Sequence, residues 1–243
     1  MENQEVNINS RKNTGEFSVS VPNAFVANVF SWMALALAIT GIVAYRFGTD
    51  ENYLQYLYSA ETGKLNGLGY FVMFAPIGFV LLMSLGFNRF SSTVLIVLFL
   101  LYAAIMGMSL SFIFLIYTHG SIALTFGITA STFGAMALLG YTTKTDLTKF
   151  GSILMMALMG IIVASLINMF MHSERMDYIV SFFGVLIFTG LTAYDVQKLK
   201  NIGNGAEYGA EGTRKLAIIG ALTLYLDFVN LFLYLLRFFG KKK

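Results

Sequence analysis

Gly220-Ala-Leu-Thr-Leu-Tyr-Leu-Asp227-Phe-Val-Asn230-Leu-Phe-Leu-Tyr234 lies within an apolar run from Leu216 to Leu236 that a single acid, Asp227, interrupts. As a helix rising roughly 1.5 Å per residue, the run is about 31 Å long, enough to cross a hydrocarbon core of roughly 30 Å. A charged carboxylate near the middle of such a helix costs ~2.5–3.5 kcal/mol on the insertion scale, so it faces protein or water rather than lipid. Helical spacing places Gly220, Thr223, Asn230 and Tyr234 on the same stripe as Asp227, with Leu, Ile, Val and Phe on the other faces. The stretch therefore reads as an inner helix whose small, polar seam lines a site.

The rest of the chain has the same character. Of its 243 residues 57% are hydrophobic and 12% charged, far below the ~25% charge of soluble domains, and the apolar residues come in long blocks. The fold class is an all-α integral membrane protein. A net charge of +3, spread over loops and the C-terminal end, reflects topology and gives no reason to expect nucleic-acid binding. With no cysteine, disulfides, thiolate metal sites and thiol catalysis are excluded.

Residues 1–20 read as a polar cytosolic tail rather than a cleavable signal, residues 21–240 as one membrane domain, and 241–243 as a basic tail. Seven apolar blocks predict seven spans: 24–45, 68–87 with a Pro76 kink, 93–117, 122–141, 152–171, 178–196 and 216–236. The polar stretch after the first span reads as a surface loop or short amphipathic helix. Thr118-His119-Gly120 reads as a tight turn, and Glu174, Arg175 and Asp177 as a short loop. Small residues four apart (Gly127, Ser131 and Ala135; Gly107 and Ser111) predict close helix contacts, a glycine-lined pore being the alternative.

With the N-terminus inside, nine Lys and Arg fall on the cytoplasmic side (Arg11, Lys12, Arg89, Lys144, Lys149, Lys198, Lys200, Arg214, Lys215). Three fall opposite (Arg46, Lys64, Arg175), so a cytoplasmic N-terminus is expected. Seven full spans then put Arg237 and Lys241 to Lys243 outside. Either the last helix is re-entrant or the loops outweigh the tail.

The sixth span ends in Thr-Gly-Leu-Thr192-Ala-Tyr194-Asp195-Val-Gln197, with Ser181, Gly184, Phe188 and Thr192 on the face of Asp195. On its own, Asp195 reads first as a helix-end carboxylate paired with Lys198 and Lys200. Yet Asp195 and Asp227 occupy consecutive, antiparallel helices, and they reach similar depth if the sixth helix runs a turn or two beyond Asp195. Two carboxylates close together in a poorly hydrated site do not both ionise cheaply and tend to share a proton. Arg89, at the end of the second span, is either a topology anchor or the cation of a proton-responsive latch on this pair. Asn230, Thr223, Thr192 and Tyr194 are the expected supporting polar residues.

These two segments resemble the transmembrane Bax inhibitor-1 motif family, and the seven apolar blocks match over most of the chain. The resemblance implies a bundle with the C-terminal helix in the centre, enclosed by the other six. It also implies a paired-aspartate pH sensor at Asp195 and Asp227, contacted by Arg89, and a pH-dependent calcium leak. The expected partners are the lipid bilayer, calcium ions and protons, with no cofactor and with a transient calcium site at the two aspartates. The expected location is a bacterial plasma membrane. Calcium favours ~6–8 oxygens, so two acids sharing a proton bind it weakly, which suits conduction.

Two other classes compete. Paired membrane aspartates also occur in presenilin-like proteases, but the only prolines are Pro22 and Pro76, so the Pro-Ala-Leu motif is missing and no enzyme is expected. A non-transporting regulator that binds a membrane protease or another membrane protein stays open. His119 and His172, at loop edges without neighbouring carboxylate ligands, do not predict a metal centre.

Overall fold

A computed structural model of the chain describes residues 21–59, 64–205 and 209–243; the N-terminal tail expected at 1–20 lies outside them. The elements are α1 (Val21–Thr49), α2 (Glu51–Leu54), β1 (Tyr58–Ser59), β2 (Lys64–Leu65), α3 (Gly67–Gly86), α4 (Ser92–Leu110), α5 (Ile113–Ile116), α6 (His119–Thr142), α7 (Thr148–Met171), α8 (Glu174–Asn204) and α9 (Ala210–Phe239). Among the described residues, seven helical segments are long and apolar enough to cross a membrane, as the seven blocks predict. The polar stretch after α1 forms the short α2 and a two-residue antiparallel pairing of β1 with β2. α3 runs unbroken through Pro76.

Several helices extend past the apolar blocks because polar residues cap their ends. Thr118 is the N-cap of α6, its hydroxyl accepting from Ser121 N–H, so His119 and Gly120 begin a helix instead of forming a turn. Ser173 does the same for α8 through Met176 N–H, which places Glu174, Arg175 and Asp177 in the first helical turns rather than in a loop. Acids there also suit the positive end of the helix dipole. At its other end α8 continues to Asn204, more than two turns beyond Asp195.

α8 and α9 are the most buried spans. α9 packs against α1, α4, α6 and α8, whereas α3 rests principally on α4 and α7 on α8. The last helix is thus flanked closely by four helices, with no comparable contact to α3 or α7. A buried polar pin holds α1, α4 and α9 together. Thr40 donates to Ala103 O at 2.8 Å and meets Tyr225 Oη at 2.7 Å, and the Tyr225 ring lies edge-on to Phe99 and Tyr102.

The small-residue contacts divide. Gly107 lets α4 touch α1, since a Cβ there would sit 2.7 Å from Thr40 O, and Ser111 is fully buried. Gly127, Ser131 and Ala135 instead face outward, with open space at Gly127. The buried face of α6 carries Thr125, Thr129, Ala137 and Gly140. A Cβ at Gly140 would collide with the backbone carbonyl of Ala193 in α8.

α9 runs the full length of the bundle and does not re-enter. Its first turn meets the start of α4, where Glu211 accepts from Ser92, and its last turn meets the start of α8, where Arg237 pairs with Asp177 at 3.1 Å. The chain end is then stitched to the α5–α6 connection: Thr118 N–H donates to Lys241 O, Lys243 N–H to Ile116 O, and Lys243 Nζ to Phe114 O. The C-terminus therefore lies at the opposite end of the bundle from the start of α1.

Candidate functional site

Antiparallel packing of α8 on α9 brings Asp195 and Asp227 together. Asp195 sits nine residues before the end of α8, about 14 Å along the axis, and Asp227 sits in the middle of α9. Both side chains line one cavity, and the two carboxyl groups lie close enough to act on each other. Asp227 is 5% exposed, and its Oδ2 is buried without a hydrogen-bond partner. An ionised carboxylate only accepts hydrogen bonds, so a direct bond between two carboxyl groups requires one proton between them.

The pair faces a cavity of about 440 Å³ bounded by α7, α8 and α9. Thr223, Asn230 and Tyr234 line it from α9, and Tyr194 lines it from α8. Of the residues expected around the two acids, two do not reach the cavity. Gly220 packs against Leu199 of α8, and Thr192 is buried elsewhere, its hydroxyl donating to Phe188 O at 2.7 Å. Asn230 Nδ2 donates to Leu226 O at 2.8 Å and Thr223 Oγ1 to Ile219 O at 3.1 Å. The Thr223 hydroxyl hydrogen and one amide hydrogen of Asn230 are thereby spent on the helix, which leaves the two oxygens as acceptors and a second Asn230 N–H to offer the cavity. The α7 wall is apolar, formed by Met155, Leu158 and Ile162.

Lys198 is the cation beside the pair. It lines the cavity one turn after Asp195, and its charge acts on that carboxyl. Lys200 is not available, because its Nζ donates to Tyr141 O at 2.7 Å and lies 4.9 Å from the centre of that ring. Arg89 sits exposed in the turn after α3 and does not line the cavity. In this conformation no latch joins it to the aspartates.

Sequence reasoning missed what holds the site from the loop side. Gln197 is buried, takes Leu147 N–H on Oε1 at 2.8 Å and donates from Nε2 to Thr145 O at 2.8 Å. It thus clasps the connection between α6 and α7. A polar amide two residues past an acid, at the end of an apolar block, was the available signal. Among the described residues, no group of three His, Asp or Glu side chains is placed to hold a metal ion, so a cation here would rely on the pair, neutral oxygens and water.

Comparison with known proteins adds a family. A family model described as inhibitor of apoptosis-promoting Bax1 matches residues 22–243. An uncharacterised protein of Borreliella burgdorferi is 45% identical over 226 residues, covering 93% of this chain and 95% of that one. The inner membrane protein YbhL of Escherichia coli K12 is 44% identical over 220 residues, covering 90% and 92%. The Rickettsia prowazekii protein RP147 is 43% identical over 222 residues, covering 90% of each.

Proposed function

We propose that this chain, which belongs to the Bax inhibitor-1-like family of membrane proteins, is a pH-sensitive leak for calcium or a similar cation. The observation that carries the reading is the meeting of Asp195 and Asp227 at one cavity between two membrane-spanning helices. A structural role alone gives a membrane protein little reason to keep two acids there, because each is costly in hydrocarbon. Two acids on one proton are a unit whose charge changes in a single step, and the step exchanges a proton for an attraction to cations.

With the proton bound, the hydrogen bond ties α8 to α9. Without it, two like charges face each other across a cavity and a cation can take the proton's place. Calcium prefers ~6–8 oxygens. The two carboxylates, Asn230 Oδ1, the Thr223 hydroxyl and water supply a partial set. A site of that kind binds weakly enough to release the ion, as conduction needs. Lys198 occupies the position of a built-in competitor at the mouth. The relative YbhL is named as an inner membrane protein, and together with the Lys and Arg distribution this supports a plasma-membrane location with the N-terminus in the cytoplasm.

The test is calcium entry into liposomes holding the purified protein, followed from about pH 5 to about pH 8. Wild type should give a flux that varies with pH, and Asp227→Asn should lose the variation. Flux no higher than in empty liposomes at any pH would sink the leak, leaving a regulator that binds another membrane protein.

A further inference from the structure

The acid cavity is the middle one of three in a row. α7 runs antiparallel to α8, so residues early in α7 lie beside residues late in α8. At one end a cavity of about 380 Å³ is lined by Thr148, Tyr194, Gln197 and Lys198. The acid cavity follows, from Met155 to Ile162 along α7. At the other end lies a polar cavity of about 450 Å³, lined by Ser165, Asn168, His172, Glu174, Asp177 and Arg237. On α7, positions 148, 155, 158, 162, 165 and 169 recur at three, four or seven residues, so a single helix face borders all three cavities.

Two tyrosines divide the row, and each ring is seated on a glycine. Tyr194 lines both the first and the middle cavity and covers Gly151 of α7, where a Cβ would lie 2.5 Å from the ring. Tyr234 lines the middle cavity and covers Gly184 of α8, where a Cβ would lie 2.6 Å from the ring. Tyr234 also stacks on Phe188 at 5.8 Å between centres, and Arg237, which lines the third cavity, lies 5.8 Å from the centre of the Tyr234 ring. A glycine at each seat lets a ring lie flat against a helix and leaves it free of contacts from a neighbouring Cβ. Beyond Tyr234, the Ser165 hydroxyl is buried without a partner, an orphan polar group that water in the third cavity would satisfy. In the second and third cavities the charges fit a cation: the aspartate pair sits in the middle one, and Glu174 and Asp177 outnumber Arg237 in the third.

We infer that the cation crosses along the seam of α7, α8 and α9, through these three cavities, with Tyr194 and Tyr234 as its two barriers. This inference rests on the leak reading above and adds its route. An ion entering from the α6–α7 connection passes Lys198 and Tyr194, meets the aspartates, and leaves past Tyr234 through the polar cavity by Asp177.

The natural chain has no cysteine, so one introduced thiol is unique. Leu158→Cys and Ser165→Cys place it on the seam, and Met156→Cys and Ile167→Cys place it two residues away in depth on the exposed outer face of α7. Because the thiolate reacts, and forms only where water reaches, a cationic methanethiosulfonate should label the seam positions about tenfold or more faster in liposomes. Labelling Leu158→Cys should then lower calcium flux several-fold, and Tyr234→Ala should raise it. Seam cysteines that label no faster than the outer ones overturn the route. Full flux through labelled protein overturns the route and spares the leak. Wild type without flux overturns the leak itself, and with it this path.

Discussion

Glu211 in the first turn of α9 takes the backbone N–H of Ser92 on one carboxylate oxygen at 2.7 Å and the Ser92 hydroxyl on the other at 2.8 Å. One side chain thus closes the start of α4 against the start of α9, across 119 residues of sequence. An amide keeps one acceptor oxygen and loses the charge, whereas a methyl keeps neither. The melting temperature in detergent should therefore fall for Glu211→Ala and fall less for Glu211→Gln. Equal melting of all three proteins would show that the contact contributes nothing.

Lys198, and not Arg89, borders the acid cavity in this conformation. If the pair senses protons in this state, Lys198→Gln should displace the pH midpoint of calcium flux, because it removes the positive charge that acts on Asp195. Arg89→Gln should leave the midpoint in place. The opposite result, with Arg89→Gln moving the midpoint and Lys198→Gln silent, would mean that the working state brings α3 and its arginine onto the pair.

Gln197 holds Thr145 O and Leu147 N–H from within α8. Replacing it with Leu strands both backbone groups, and each lost bond of this kind costs about 0.5–1.5 kcal/mol. The connection between α6 and α7 should then open more often. Trypsin should cut faster at Lys144 and Lys149 in Gln197→Leu than in wild type, with cleavage at other sites unchanged. Equal cleavage rates would show that the connection is held some other way.

The same connection carries a pH dependence of its own. Asp146 Oδ1 accepts the Thr148 hydroxyl at 2.6 Å and its N–H at 2.9 Å. The hydroxyl and then the N–H hold the Asp146 carboxyl below its ordinary value, with a smaller pull from Lys149. A carboxyl depressed on folding stabilises fully above its unfolded value of about 4 and loses that contribution as pH falls through the lower folded value. The difference in melting temperature between wild type and Asp146→Asn should therefore be flat from neutral pH to about pH 5 and close at lower pH. A gap that widens in acid would contradict the assignment.

How far the sequence could be read depended on what lipid leaves unmarked. The acid stripe of α9 was legible because Thr223, Asp227, Asn230 and Tyr234 are costly in hydrocarbon and repeat at helical spacing, and these residues do share one cavity. Helix ends were less legible. Glu174, Asp177, Lys198 and Lys200 look like loop residues, yet α8 is 31 residues long and its charged ends remain helical. Which cation meets the pair was not legible either, since Arg89 and Lys198 lie toward the same end of the bundle and only packing decides which one turns inward. On α6, small residues mark two faces, and an apolar helix face looks the same whether it meets lipid or protein.

That last ambiguity gives a clean contrast. Gly140→Ala drives a Cβ into the Ala193 carbonyl, with the Ala193 backbone carbon and Cα both 2.8 Å away. Backbone cannot swing aside as a side-chain tip can, so α6 must lift off α8, and overpacking of this kind costs about 1–3 kcal/mol or more. Gly127→Ala adds a Cβ with nothing within 4 Å. It also removes a glycine from a helix interior, which is worth up to about 1 kcal/mol. Thermal unfolding in detergent should show Gly140→Ala strongly destabilised or failing to fold, and Gly127→Ala equal to or above wild type. A Gly127→Ala protein as damaged as Gly140→Ala would mean that the outward face of α6 is covered by protein, and that Gly127, Ser131 and Ala135 meet another chain in the membrane.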